Sequence, residues 1–84
     1  MIKNFRKKPV VISAIEFDGT EASIHAIKEF VGAKAICNMR KELALETLEG
    51  RMNVEPGAWV IKGVQGEFYA CRGDIFKQTY EEVA

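Results

Sequence analysis

Residues 56–76 read PGAWVIKGVQGEFYACRGDIF and hold four of the seven glycines and the single tryptophan of the chain. That punctuation is the strongest constraint on the fold. Pro56-Gly57 is a turn dipeptide. Gly63 and Gly66 bracket GVQG and return the chain on itself. The intervals AWVIK and EFYAC are therefore short strands. Gly63 and Gly66 lead into a strand rather than a helix N-terminus, so the dipole-assisted anion site of a phosphate loop is absent.

The preceding residues extend the pattern. Lys8–Phe17, KPVVISAIEF, places Val11, Ser13, Ile15 and Phe17 on one face and Val10, Ile12, Ala14 and Glu16 on the other. Two largely apolar faces predict a central strand. After the turn at DGT, Thr20 is a candidate N-cap and Glu21 suits the helix dipole. Ile24, Ile27, Phe30 and Val31 then repeat at helical spacing until Gly32 stops the helix. AKAICNMRKE alternates roughly and predicts a second strand. LALETLEGRMNV predicts an antiparallel hairpin turning at Glu49-Gly50. Asp74 can cap a last helical turn, DIFKQTY, with Ile75 or Phe76, Thr79 and Tyr80 on its inward side.

The expected fold class is α+β. It is a four- to five-stranded, mostly antiparallel sheet with one main helix, in the order β-α-β-β-β-β, and a short C-terminal helical turn. One helix covers only one sheet face, yet the first strand is apolar on both. Self-association would supply the second layer, which predicts a homo-oligomer, a dimer or higher. A strongly curled sheet closing over its own second face is the alternative.

At 84 residues the chain is one domain, residues 1–84, of a size that buries only about 60–65% of its unfolded surface. Twelve basic and twelve acidic residues cancel. The cancellation conceals a basic arm, MIKNFRKK at residues 1–8, which leaves eight basic against twelve acidic residues in the remainder. The arm reads either as a solvated extension or as a phosphate contact through Arg6, Lys7 and Lys8. The acidic remainder argues against nucleic acid as the main partner. PVVISAI is too short for a signal peptide, and no run approaches the ~18 apolar residues of a membrane span. A cytoplasmic protein without membrane contact is expected, with Cys37 and Cys71 as small core residues rather than a disulfide.

The usual catalytic constellations are missing. His25 is the single histidine and sits beside the apolar stripe of the helix. One histidine and two scattered cysteines make no metal-ligand pattern, and no nucleophile-elbow, phosphate-loop or zinc-helix motif occurs. The sequence predicts neither a catalytic site, nor a metal, nor a cofactor. The candidate binding residues are Trp59, Lys62, Glu67, Tyr69 and Arg72. Glu67, between Gly66 and Phe68, either accepts backbone N–H bonds from the adjacent turn or lines a ligand groove beside Trp59 and Tyr69. Phe68 and Tyr69 must point to opposite faces, so one ring is outward or at an interface.

Residues Leu48–Glu81, LEGRMNVEPGAWVIKGVQGEFYACRGDIFKQTYE, resemble a family of small uncharacterised proteins of tailed bacteriophages and prophages. The shared features are the LEG turn, PG before an aromatic, GV(K)GEFY, a following Cys, and DIF with TYE. FRKKPVVISAIEF resembles the opening of that family. Ala58 stands where the family often has Asp, and Gly73 where it often has Pro. The resemblance implies origin and fold rather than a mechanism. It suggests a non-enzymatic, phage-derived interaction module that engages a host or phage protein, such as a component of a defence system. The alternative is an oligomeric binder that sequesters a nucleotide signal, and the third is a weak nucleic-acid binder using the basic arm.

Overall fold

A computed structural model describes residues 1–6 and 8–83. The fold is α+β, with elements in the order β1 (Ser13–Glu16), α1 (Glu21–Val31), β2 (Ala35–Cys37), β3 (Leu43–Thr47), β4 (Gly50–Val54), β5 (Trp59–Lys62), β6 (Phe68–Cys71) and α2 (Gly73–Thr79). A 3-10 turn, Gly32–Lys34, joins α1 to β2.

The six strands form two antiparallel three-stranded sheets instead of one sheet of four or five strands. The first sheet has the order β1-β5-β6 and the second β2-β3-β4. The edge strand β6 lies against β3 and β4, so the two sheets meet along one side.

The helix α1 forms where the spacing requires it. Thr20 caps it by accepting the Ser23 N–H through Oγ1 at 3.1 Å. Ile24, Ile27 and Val31 are buried, and the Gly32 N–H closes the last turn on the Lys28 carbonyl. The stripe packs into one core with Phe17, Leu43, Leu45, Val54, Ala58 and Val60. Ile27, Leu45, Val60 and Ile61 are the largest fully buried side chains. Each is worth about 1.5–3 kcal/mol relative to exposure. Phe30 meets Phe68 edge-on, with centroids 5.6 Å apart.

The registers assign the faces, because residues directly opposite in an antiparallel ladder share one face. Ile15, Val60 and Ala70 are opposite one another and point to the core. Ala14, Ile61 and Tyr69 form a row on the other face, as do Glu16, Trp59 and Cys71. In the second sheet Cys37, Leu43 and Val54 face the core, and so do Ala35 and Leu45, while Met52 on the same side is exposed. Ala44 with Asn53 and Glu46 with Arg51 lie on the reverse side.

Several local expectations change. β1 is four residues long and lies at an edge, not the centre. Its partner β5 ends at Lys62 opposite Ser13, so Val10–Ile12 find no ladder to join. β2 stops at Cys37 because Asn38 organises a turn. Its Oδ1 accepts the backbone N–H groups of Arg40 and Glu42 at 2.9 and 3.0 Å. Arg72, not Asp74, occupies the N-cap position of α2, and Asp74 lies inside the first turn. Phe76 and Tyr80 face inward, whereas Ile75 and Thr79 are exposed.

Candidate functional site

The face of the first sheet that points away from the core carries the aromatic residues. Trp59 and Tyr69 project from it in adjacent strands, and α2 crosses above them. The Phe76 ring lies flat on Trp59, with centroids 4.5 Å apart and planes at 5°. Tyr80 continues the layer at 5.0 Å from Phe76. The hydroxyls of Tyr69 and Tyr80 are hydrogen-bonded at 3.3 Å. That bond, followed by partial burial, pushes the Tyr69 phenol up to about 12. The Trp59 Nε1–H is buried and has no hydrogen-bond partner among the described residues.

The start of α2 is fixed by a backbone approach. A Cβ on Gly73 would run into the carbonyl oxygen of Gly57. Glycine therefore stands there because the Pro56-Gly57 turn and the first turn of α2 touch.

Two adjoining recesses open beside this aromatic layer. One, of about 310 Å³, lies over Trp59 and Phe76. The other, of about 590 Å³, lies over Tyr69 and reaches Lys8, Val64 and Glu67. Both are walled by Val10, Val11 and Ile12 on one side and by Tyr80, Glu81 and Val83 on the other. Together they form a groove between the segment before β1 and the segment after α2. Its floor and walls are mostly apolar, and Val11 is 77% exposed. Its charged lining residues are Glu67, Glu81 and Glu82 against Lys8.

The candidate residues divide into those that meet here and those that do not. Trp59 and Tyr69 share the groove floor. Glu67 Oε2 accepts the Gln65 N–H at 3.0 Å, and the residue lines the larger recess with Tyr69, away from Trp59. The Glu67 carboxylate packs so close to Gly63 that a Cβ there would collide with it, and Gly66 turns with φ +83°. Lys62 lies opposite Ser13 and Phe68, on the reverse face from Trp59 and Tyr69. Arg72 is exposed and paired with Asp74 at 2.9 Å, outside both recesses. Arg6 is exposed in the arm, Lys8 lines one end of the groove, and Lys7 lies outside the described residues. Glu81, Glu82 and Val83 were not foreseen as groove residues. The visible signal was Val10–Ile12, an apolar run longer than one short strand can bury.

His25 is exposed and pairs with Glu29 at 3.4 Å along α1. Among the described residues no cluster of histidine, cysteine or carboxylates could hold a metal ion, and no helix is long and apolar enough to cross a membrane. Cys37 and Cys71 are free thiols, each half-buried. No protein-family profile, curated protein or solved structure matches the chain.

Proposed function

We propose that the chain is a small non-enzymatic interaction module that receives an extended apolar and cationic protein segment in the groove over Trp59 and Tyr69. The observation that carries this reading is the groove itself, an apolar trough with three carboxylates and one lysine among its lining residues. An apolar floor supplies contact area, and the acidic side chains select for positive charge. The phage-family resemblance supports a host or phage protein as the source of the segment.

The nucleotide-binding alternative has less support. It needs a free aromatic face beside cations, but one face of Trp59 is already covered by Phe76. Lys62 and Arg72 lie elsewhere, and the groove carboxylates would repel phosphate.

Trp59 is the single tryptophan, so its emission reports on the site. A peptide of alternating Leu and Lys should shift that emission saturably, and a Leu/Glu peptide of equal length should not. A shift produced by ATP and by neither peptide would replace this reading with the nucleotide alternative.

A further inference from the structure

The apolar, acid-lined groove has a matching segment in the same chain. Residues 1–6 have no regular secondary structure, and Met1, Ile2 and Phe5 are almost fully exposed. Three large apolar side chains on one short exposed stretch are unusual for a surface left to water. They alternate with the arm's cations, Lys3, Arg6, Lys7 and Lys8, and the arm carries no acid. Apolar side chains suit the floor, and the cations suit Glu67, Glu81 and Glu82.

Building on the groove reading, we infer that the segment seated in it is the arm of a second copy of this chain, exchanged reciprocally in a two-fold dimer. Chain direction favours the partner's groove over the arm's own. Lys8–Ile12 already form one wall of the recess. Pro9 holds Lys8 away from helical geometry, so the chain enters that wall extended instead of doubling back. An eight-residue extended segment reaches up to roughly 29 Å, longer than the roughly 18 Å that the five residues Lys8–Ile12 can span along their wall. In a two-fold pair the same contact, made twice, satisfies both arms and both grooves, so the association closes on itself. It also covers Val10 and Val11, the part of the apolar run that β5 leaves unpaired.

The test is sedimentation of the full chain across the micromolar range, together with two variants. One lacks residues 1–6 and keeps the groove. The other, Glu81→Lys with Glu82→Lys, keeps the arm and reverses charge beside the groove at exposed positions. Circular dichroism checks that both retain the fold. The full chain should dimerise, and added salt should weaken the dimer. Each variant alone should self-associate at least about tenfold more weakly. Mixed together, they should form a one-to-one heterodimer, because one supplies the arm and the other the groove.

A full chain that stays monomeric overturns the arm exchange, and so does an armless chain that dimerises as well as the parent. The groove reading is tested separately by adding the Leu/Lys peptide to the armless chain. A Trp59 response there, with no self-association of the full chain, sinks the exchange and leaves the groove standing. No Trp59 response to either the Leu/Lys peptide or a peptide of residues 1–8 sinks both.

Discussion

The two sheets have the same size and both turn one face to a shared core, yet their opposite faces differ. The far face of the first sheet carries Ile61, Trp59 and Tyr69, and α2 covers it with Phe76 and Tyr80. The far face of the second sheet carries Ile36 and Ala44 beside Asn53, Glu46 and Arg51, with no helix over it among the described residues. There Arg51 Nη2 meets Glu46 Oε1 at 2.8 Å in water. The difference follows from alternation. LALET and GRMNV separate apolar from polar residues at period two, whereas WVIK and FYAC are apolar on successive positions. A strand of the second kind must be covered twice. The short helix α2 covers one end of the far face and leaves the groove beside it.

This contrast can be broken by substitution. The largest effect should come from Ile61→Ala. Ile61 is fully buried on the far face. Truncation should cost about 2–5 kcal/mol in denaturant unfolding. A cost below that of an exposed site would mean the far face is not a second core. Next is Gly73→Ala, which forces a Cβ against the Gly57 carbonyl. It should lower stability by about 1–3 kcal/mol and weaken the near-ultraviolet signal of the Trp59–Phe76 stack. Unchanged stability and spectrum would show that α2 does not depend on that close approach.

Smaller effects separate the two faces by their polar pairs. Tyr69→Phe removes the bond to Tyr80 and should cost about 0.5–1.5 kcal/mol. Because the folded Tyr69 phenol is raised to about 12, its contribution is complete below pH ~10, the ordinary phenol value, and is lost as pH rises through about 12. Thermal melts of the parent should therefore fall across that alkaline window, and the Tyr69→Phe chain should fall less. Equal slopes would remove the hydroxyl pair from the account. The smallest change should be Glu46→Ala on the second sheet. Its partner Arg51 has a 61% exposed side chain, so the loss should stay within about 1 kcal/mol and shrink further in salt. A loss as large as that of Ile61→Ala would erase the distinction between the faces.

Much of the fold was legible because it is local. Thr20, the 3.6-residue stripe and Gly32 specify α1 without reference to the rest of the chain. Leu43–Val54 specifies its own hairpin in the same way, through alternation around a two-residue turn, but the turn falls at Leu48-Glu49 and not at Glu49-Gly50, because Gly50 already pairs with Thr47. The division into two sheets was not legible. It depends on β1 pairing with β5 across most of the chain, and no neighbouring residues encode that choice. The two apolar faces of β1 predict a central position, but Val10–Ile12 leave the ladder and wall the groove. Alternation requires one of Phe68 and Tyr69 to face outward but does not say which, and the pairing of Tyr69 with Ile61 decides it. The grouping of Trp59 and Tyr69 with Glu81, Glu82 and Val83 was not legible, because those residues come from the far end of the chain and meet only after α2 folds back. Lys62 was a plausible companion by proximity in sequence, and the period-two rule, applied from Ile61, already places it on the reverse face.

The central claim is that partner contact belongs to the far face of the first sheet and not to that of the second. A nitrogen-15 NMR titration of the chain lacking residues 1–6 with a peptide of residues 1–8 tests it most directly, since Trp59 contributes the single indole N–H resonance. Saturable shifts should appear at that indole and at the amides of Val10, Val11, Glu81 and Val83, while Glu46, Arg51 and Asn53 stay fixed. Shifts centred on Glu46, Arg51 and Asn53, with the Trp59 indole unmoved, would contradict it.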